Sequence, residues 1–561
     1  MTRSATLVDA LARRLEREPD AEFCRYVQGG GAVDTVSVAR VMQRAMGFAA
    51  RLGGARDGRK IVGVCLYSGI EQHAAFLGAM WAGHIPTMLA PPSPRMDPAK
   101  YGSSFSRMIE HIRPDVVVLD EGTRQKLEGL GLDQFGGTEL VSPNEVPGRE
   151  GVPPFPAEPD DIAFVQHSSG TTGLQKGIAL SHRAVLAHNE SYRGRLGIGG
   201  GDTIVSWLPL YHDMGFIACF VLPAVEGVRF VQISPFDWVL RPGMLLEQIH
   251  DVRGTLCWLP NFAFQFLAET VRDSQIPAGL DLRCVRAWVS SSEPVQHESF
   301  EAFVTRFGEY GVDRHRLTAS YAMAENVYAV TQSLPGEHRV LRVNRALFSA
   351  EHRVEIAPED VDGVTFVSNG RVVDGTEVAI IDSSEQFLPP GHVGEIVLRG
   401  TFKFSGYFRR DDLTSSAHLE GGWYKTGDLG FVFDAEVYVT GRLKDLIIIQ
   451  GRNFYPSDVE AVAARVPGVK AGRVVAFGIP DERTGTEALV VLAELDESVA
   501  PSPHPQRLAL AVRTSVAQEL DCTPNDVRIV PPRWLVKSTS GKLARSENRA
   551  KYSSAKAAGT L

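Results

Sequence analysis

The chain has 561 residues, 44% hydrophobic and 22% charged, so it has the composition of an ordinary folded protein and the length of roughly three to four domains. Its formal net charge of −9 at pH 7 excludes a nucleic-acid-binding protein that relies on a bulk positive field. No run of about 18 apolar residues occurs, and the N-terminus lacks the apolar segment of a secretory signal peptide. We therefore expect a cytoplasmic protein with no nucleic acid partner and no integral membrane association.

The first lobe, residues 1–150, is predicted to alternate between strands and helices. Such alternation indicates a parallel sheet with crossover connections. Short apolar runs predict strands at 61–66, 85–89 and 116–119, and apolar residues at helical spacing predict helices at 37–52, 70–82 and 105–112.

A second α/β lobe is predicted over residues 160–335, after a proline-rich connector at 141–161. Ser181 is suited to cap a helix over 181–192. The remaining apolar runs predict strands at 162–165, 203–207, 229–233 and 285–290.

A glycine-rich loop, QHSSGTTGLQKG at residues 166–177, follows the first of these strands. Its glycines permit close approach of a ligand, its hydroxyls donate hydrogen bonds and Lys176 supplies charge, which together suit phosphate. Gln175 before this lysine and Gly177 after it argue against the P-loop of NTPases. An ordinary surface loop stays open as the alternative. The phosphate-binding candidates are Ser168, Ser169, Gly170, Thr171, Thr172, Gly173 and Lys176.

The pattern changes again near Gly441 and predicts a small α+β C-terminal domain over residues 445–561. Everything before it, residues 1–440, is expected to form the N-terminal domain. Beyond Lys542 the chain is rich in Ser, Ala, Lys and Arg, and we expect it to be frayed. Within the C-terminal domain we predict strands at 446–449, 473–477 and 489–492, and helices at 457–465 and 506–520.

The six cysteines lie mostly among apolar neighbours and form no CxxC pair. This usage is typical of buried thiols in a reducing compartment and not of a disulfide framework or a zinc site. The cysteines are Cys24, Cys65, Cys219, Cys257, Cys284 and Cys522.

Six further segments are rich in polar groups, four of them together with glycine, in ways that a core does not require. They are SWLPLYHDMG (206–215), SSSEPV (290–295), SYAMAEN (320–326), WYKTGDLG (423–430), GRLKDLIIIQGRNFYP (441–456) and KSTSGKLAR (537–545). In order and spacing they resemble the adenylate-forming superfamily of acyl-CoA synthetases, luciferases and non-ribosomal peptide adenylation domains. The first, third and fifth resemble the fatty acyl-AMP ligase branch in particular.

This resemblance implies a fold and an activity. The fold is α/β, with two doubly wound sheets and a small β-barrel, at about 336–440, in the N-terminal domain, and a small mobile α+β C-terminal domain. ATP, with Mg²⁺, would activate a fatty or related carboxylic acid as its acyl-adenylate, and the acyl group would pass to the phosphopantetheine thiol of an acyl carrier protein. Transfer to CoA, another fate of an activated acid, and a non-catalytic nucleotide-binding homologue stay open as alternatives.

The chemistry of this reaction demands positive charge. Attack of a carboxylate oxygen on the α-phosphate builds negative charge on the phosphoryl oxygens, so catalysis rests on positioning and electrostatics. Lys542 resembles the C-terminal lysine that bridges the carboxylate and the α-phosphate, a role suited to a point cation. Glu325 resembles the Mg²⁺ ligand, and His212 resembles the residue that gates the acid tunnel.

The resemblance also assigns a nucleotide site. Asp428 matches the carboxylate that accepts the ribose hydroxyls, Arg442 the residue that reaches ribose and phosphate, and Lys444 the hinge between the domains. A turn aspartate and an exposed loop lysine are the ordinary alternatives. The adenine site would be formed by Ser291, Ser292, Glu293, Tyr321, Ala322 and Met323.

The acyl pocket and the choice of acceptor are less well defined by the sequence. An insertion at 334–362 follows the glutamate motif, and in the resembled ligases it restrains the C-terminal domain and disfavours the CoA-accepting state. Ala324 and His167 depart from the commoner superfamily pattern, and the first departure is shared with those ligases. Candidate pocket residues, which could equally be core, are Trp207, Phe216, Trp258, Asn261, Phe262 and Phe264.

Overall fold

The computed structural model describes residues 4–92, 98–132, 135–167, 176–449, 452–481, 486–497, 504–537 and 542–560. Within these ranges every helix is too short or too polar to cross a membrane.

The largest sheet of the N-terminal domain has seven strands and is parallel except at one edge. The antiparallel edge pairs Glu22–Val27 with Val33–Ser37, two strands that the sequence did not predict. The predicted strands near 203, 229 and 285 are confirmed within this sheet. The strand order is Leu317–Ala319, Ala287–Ser290, Leu256–Leu259, Thr203–Ser206, Arg229–Ile233, Glu22–Val27 and Val33–Ser37.

A second sheet of four parallel strands confirms the α/β pattern of the first lobe. Its order is Ile85–Met88, Ile61–Val64, Val116–Val118 and Glu139–Val141.

Three antiparallel strands lie beside the second sheet, where Val165 packs against Ile61 and Ile85. Ile162–His167 pairs with Gly177–Ser181, so the glycine-rich segment joins two antiparallel strands. The strand predicted at 162–165 is confirmed, but its antiparallel partner was not predicted; it forms because the buried run after Lys176 pairs back along the first strand. The order is Gly406–Tyr407, Gly177–Ser181 and Ile162–His167.

Helices cover these sheets, and local capping fixes where several begin. The Ser181 hydroxyl accepts a hydrogen bond from Ala184 N, and the helix after it confirms the prediction. An eight-residue π-helix, Met214–Val221, was not predicted. The α-helices are Leu7–Arg17, Val38–Leu52, Ile70–Trp81, Pro98–Ile112, Glu121–Gly129, His182–Leu196, Leu222–Glu226, Pro235–Leu240, Met244–Val252, Asn261–Thr270, His297–Phe307, Arg345–Glu351 and Asp411–Ser416.

Antiparallel strands build the barrel region of the N-terminal domain. Four of them form one sheet in the order Thr376–Ile381, Gly394–Gly400, Tyr424–Phe433 and Glu436–Arg442. Two short ladders complete the region, Thr331–Gln332 with Arg371–Val372 and Val340–Asn344 with Gly363–Val367.

The C-terminal domain has its own hydrophobic core, which includes Val459, Leu489 and Val512. Its strands are Ile447–Ile449, Arg452–Phe454, Val469–Asp481, Thr486–Leu495 and Asp526–Val530. Its helices are Pro456–Ala464, Pro505–Leu520 and Arg545–Ala557.

The last helix corrects the expectation of a frayed tail. Tyr552 is 1% exposed, packs its ring 5.6 Å from that of Phe477 and donates a hydrogen bond of 2.7 Å to Asp526. One buried face is therefore enough to hold an otherwise polar helix against the sheet.

Candidate active site

Lys542 of the C-terminal domain reaches into the N-terminal domain. Its Nζ atom donates a hydrogen bond of 2.6 Å to the backbone carbonyl of Ser292. Burial lowers the pKa of Lys542, while the carboxylates of Glu293 and Asp213 act in the opposite direction. The two domains thus bring a cation from one to acidic groups of the other.

Arg545 fixes the segment that carries this lysine. Its guanidinium bonds to the Asp445 carboxylate at 2.9 Å, to both oxygens of Glu460 at 2.8 and 3.0 Å, and to the Ala476 carbonyl at 3.0 Å. Asp445 belongs to the turn Leu443–Asp445, which joins the barrel to the C-terminal domain and also holds Lys444. The planar fork of arginine suits these simultaneous contacts.

Glu325 lies in a compact loop after the strand Leu317–Ala319 and is 9% exposed. Its Oε1 atom accepts a hydrogen bond of 2.9 Å from Tyr407, whose hydroxyl lies 2.8 Å from that of Tyr424. Burial raises the pKa of Glu325, although Tyr407 and Lys176 favour the ionised form. A buried carboxylate with an oriented oxygen fits a hard cation such as Mg²⁺.

Lys176 is the one described residue among the phosphate-binding candidates of the glycine-rich loop, because residues 168–175 lie outside the described ranges. Its Nζ atom lies 4.2 Å from the centre of the Tyr407 ring. Because Tyr407 also bonds to Glu325, the Lys176 ammonium and the Glu325 carboxylate lie near each other.

Asp428 and Arg442 face each other across the barrel strands Tyr424–Phe433 and Glu436–Arg442. Arg442 Nε lies 3.3 Å from one Asp428 carboxylate oxygen, and the Tyr321 hydroxyl donates a hydrogen bond of 2.7 Å to the other. An ionised carboxylate has about four lone-pair positions, so it can still accept two ribose hydroxyls.

His212 and Asp213 lie at the start of the π-helix. Burial, and secondarily the charge of Lys542, lower the pKa of His212 to about 3, so its imidazole is neutral. Its Nε2 atom is buried without a hydrogen-bond partner among the described residues. The Asp213 carboxylate accepts a hydrogen bond of 2.8 Å from Met214 N and caps the helix.

The predicted adenine wall follows the strand Ala287–Ser290. Ser292 has φ of 70°, and Glu293 accepts a hydrogen bond of 3.0 Å from Phe262 N. On the opposite side, Ala322 pairs with Ala329, and Met323 N donates 2.8 Å to the Tyr328 carbonyl. Of these residues, Ser292 accepts the hydrogen bond of Lys542, and the contact of both segments with adenine stays a prediction.

The predicted acyl-pocket residues pack as core. The Trp207 ring stacks 3.6 Å from that of Trp238, and Trp258 Nε1 donates 2.9 Å to the Tyr192 hydroxyl. Asn261 bonds to Gln296 N and to Ser299, tying two helices together. Phe216 belongs to an aromatic cluster with Phe76, Phe164 and Phe220. Their role as a pocket stays a prediction.

Tyr407, Asp213 and Arg545 are site residues that were not predicted from the sequence. The glycine and aromatic residues of the segment FSGYF, residues 404–408, were the available signal for Tyr407. Asp213 lies in the segment 206–215 and Arg545 in the segment 537–545, both of which were singled out for other residues.

An α/β domain that receives a lysine from a second domain beside Ser292, Glu293 and Asp213 is consistent with an adenylate-forming enzyme. The chain belongs to the AMP-binding enzyme family, whose model matches residues 11–408.

Full-length relatives agree with this assignment. The long-chain-fatty-acid AMP ligase FadD26 of Mycobacterium bovis is 29% identical over 97% of this chain and 96% of its own. The medium-chain-fatty-acid acyl-carrier-protein ligase JamA of Moorena producens is 28% identical over 98% of this chain and 95% of its own. A solved structure from studies of fatty acyl-adenylate ligases of E. coli and L. pneumophila superposes with a TM-score of 0.88, at 26% identity and 99% coverage of both chains.

Proposed function

We propose that this enzyme activates a fatty or related carboxylic acid as its acyl-adenylate, releases pyrophosphate, and passes the acyl group to the phosphopantetheine thiol of an acyl carrier protein. The observation that carries the proposal is the hydrogen bond of 2.6 Å from Lys542 to Ser292, which holds the cation beside His212. Two relatives, FadD26 and JamA, bear the names of a fatty-acid AMP ligase and an acyl-carrier-protein ligase.

Each charged residue would meet one part of the substrates. Asp428 would accept the ribose hydroxyls of ATP, and Arg442 would reach the ribose and phosphate. Lys176 would lie against the leaving phosphates, and Lys542 would bridge the acid carboxylate and the α-phosphate. With the substrates bound in this way, positive charge would lie where negative charge develops.

Mg²⁺ would be held by Glu325 and would neutralise charge on the phosphate oxygens. The Tyr407 hydroxyl keeps one oxygen of this carboxylate in a fixed orientation at 2.9 Å. The neutral imidazole of His212 would close the acid side of the site without adding a competing positive charge.

The insertion at 334–362 supports a carrier protein over CoA as the acceptor. Its helix Arg345–Glu351 lies against the C-terminal domain, where the Phe348 and Tyr455 rings are 5.5 Å apart and His352 lies 3.3 Å from Asn453. Rotation of the C-terminal domain away from Lys542's present position would break these contacts. Transfer to CoA is the second candidate.

The test combines the protein with ATP, Mg²⁺ and a panel of carboxylic acids of graded length, and detects acyl-adenylate by mass. CoA and a pantetheinylated carrier protein are then added separately to the preformed adenylate. The proposal expects a thioester on the carrier protein. A thioester with CoA alone would show that CoA, and not a carrier protein, is the acceptor. Absence of acyl-adenylate with every acid would refute the proposed adenylation.

A further inference from the structure

Tyr328 buries a hydroxyl group without a hydrogen-bond partner among the described residues, three positions after Glu325. Its side chain is 0% exposed. A buried hydroxyl without a partner costs free energy, and in native structures such groups require an explanation.

The backbone before Tyr328 is strained in a way that sets its direction. Val327 has φ of 66° and ψ of −58°, and Tyr328 N donates a hydrogen bond of 2.7 Å to the Asn326 carbonyl. A γ-turn with positive φ is rare, and more so at a β-branched residue. Strain of this kind is concentrated at functional sites. Here it turns the chain back, so that Tyr328 enters the interior while Glu325 remains at the substrate side.

The Tyr328 ring lies among other polar side chains. Its ring is 5.5 Å from that of Tyr192, at 81°, and 6.3 Å from that of His188. The Ser291 hydroxyl is close enough to act on the Tyr328 hydroxyl, yet it too has no hydrogen-bond partner among the described residues. The charge of Asp213 also acts on this tyrosine.

The neighbouring Tyr192 has a buried hydroxyl group whose hydrogen bonds are all made within the protein. It is equally buried, accepts a hydrogen bond of 2.9 Å from Trp258 Nε1 and donates one of 2.8 Å to Gln332. The fold therefore provides partners for one of two neighbouring tyrosines and leaves the other, together with Ser291, available to a ligand.

Sequence adjacency and the charge of Asp213 connect these two hydroxyls with the residues of the proposed reaction site. Ser291 immediately precedes Ser292, whose carbonyl holds the Lys542 ammonium, and Asp213 immediately follows His212. An acid whose carboxylate meets Lys542 would direct the first carbons of its chain toward Tyr328 and Ser291.

We propose that Tyr328 and Ser291 form a polar wall of the acid-binding site that selects a carboxylic acid carrying an oxygen substituent, a hydroxyl or carbonyl group, on the carbons near its carboxylate. Both hydroxyls can donate and accept, so either substituent finds a partner. The inference rests on the proposed adenylation and names its substrate class.

The test compares decanoic, 2-hydroxydecanoic, 3-hydroxydecanoic and 3-oxodecanoic acids by the kcat/KM of acyl-adenylate formation. The wild-type enzyme is expected to favour one of the substituted acids by about 10-fold or more, as for a site that hydrogen-bonds its substrate. Tyr328→Phe should reduce that preference by about 10-fold, through lost activity with the substituted acid. Tyr192→Phe is the matched control: it removes an equally buried hydroxyl and should lower the melting temperature without changing the preference.

Two results would overturn the inference while leaving the adenylation intact. The first is equal or greater activity of the wild-type enzyme with decanoic acid. The second is an unchanged preference in Tyr328→Phe, which would assign the hydroxyl to the fold alone. Absence of adenylate with all four acids and with the wider panel would instead refute the proposed function.

Discussion

The Lys542 ammonium and the Ser292 carbonyl, 250 positions apart in the chain, are joined by a hydrogen bond of 2.6 Å. This contact holds a lysine of the C-terminal domain against the N-terminal domain, as the proposed adenylation requires. A carbonyl oxygen is a modest partner for an ammonium group, so substrate oxygens can displace it.

The first prediction concerns pH. Burial lowers the pKa of Lys542 below the ordinary lysine value of about 10.4, and only the ammonium form stabilises the phosphoryl oxygens. Adenylate formation should therefore fall as the pH rises through this lowered pKa. The measurement is the pH profile of kcat/KM for pyrophosphate release.

Lys542→Arg should move that alkaline limb upward, because the guanidinium stays charged. Lys551→Arg is the matched control, since Lys551 also donates to a backbone carbonyl at 2.6 Å, that of Trp534. If the alkaline limb of the kcat/KM profile stayed at the same pH in Lys542→Arg, a group other than Lys542 would be responsible for it.

The second prediction concerns Arg545, which connects the segment of Lys542 to Asp445 and Glu460. Arg545→Lys cannot make all of these contacts at once, so adenylate formation should fall by about 10-fold or more. The assay is ATP–pyrophosphate exchange at saturating acid. Arg549→Lys, at an exposed position of the same helix, should leave the rate unchanged, and equal rates in both variants would contradict the role of Arg545.

The third prediction concerns the acceptor. Phe348→Ala removes the ring that faces Tyr455 at 5.5 Å and should loosen the C-terminal domain. We expect thioester formation with CoA to rise several-fold in this variant, measured from preformed acyl-adenylate. Phe366→Ala, which removes a ring 4.9 Å from Phe348 in the same cluster, is the control. A rise of the same size in both variants, or in neither, would argue against the restraint.

Local patterns were enough to predict the parts of this fold whose stability is local. The helix after Ser181 and three of the four strands of the second sheet are examples, because capping and apolar runs act over a few residues. The helix Arg545–Ala557 was missed because most of it is polar, and only contacts with distant strands hold it.

In the candidate site, too, residues held by contacts distant in the sequence could not be predicted from local patterns. Glu325 and Asp428 stood out through their motifs, but the Tyr407 hydroxyl that orients Glu325 comes from 82 positions away. The contacts of Arg545 span 69 to 100 positions. Long-range pairing of this kind leaves no periodic signal in one sequence, so only the assembled structure reveals it.

The most direct test of adenylation by a lysine from the second domain is a comparison of the wild-type protein with Lys542→Ala. Acyl-adenylate is measured by mass after mixing with ATP, Mg²⁺ and the preferred acid, and transfer is measured separately from preformed acyl-adenylate. Adenylate formation should fall by about 10² to 10³-fold, the scale for losing one preorganised charge-stabilising group, while transfer to the carrier protein is retained. Unchanged adenylate formation in Lys542→Ala would contradict the account.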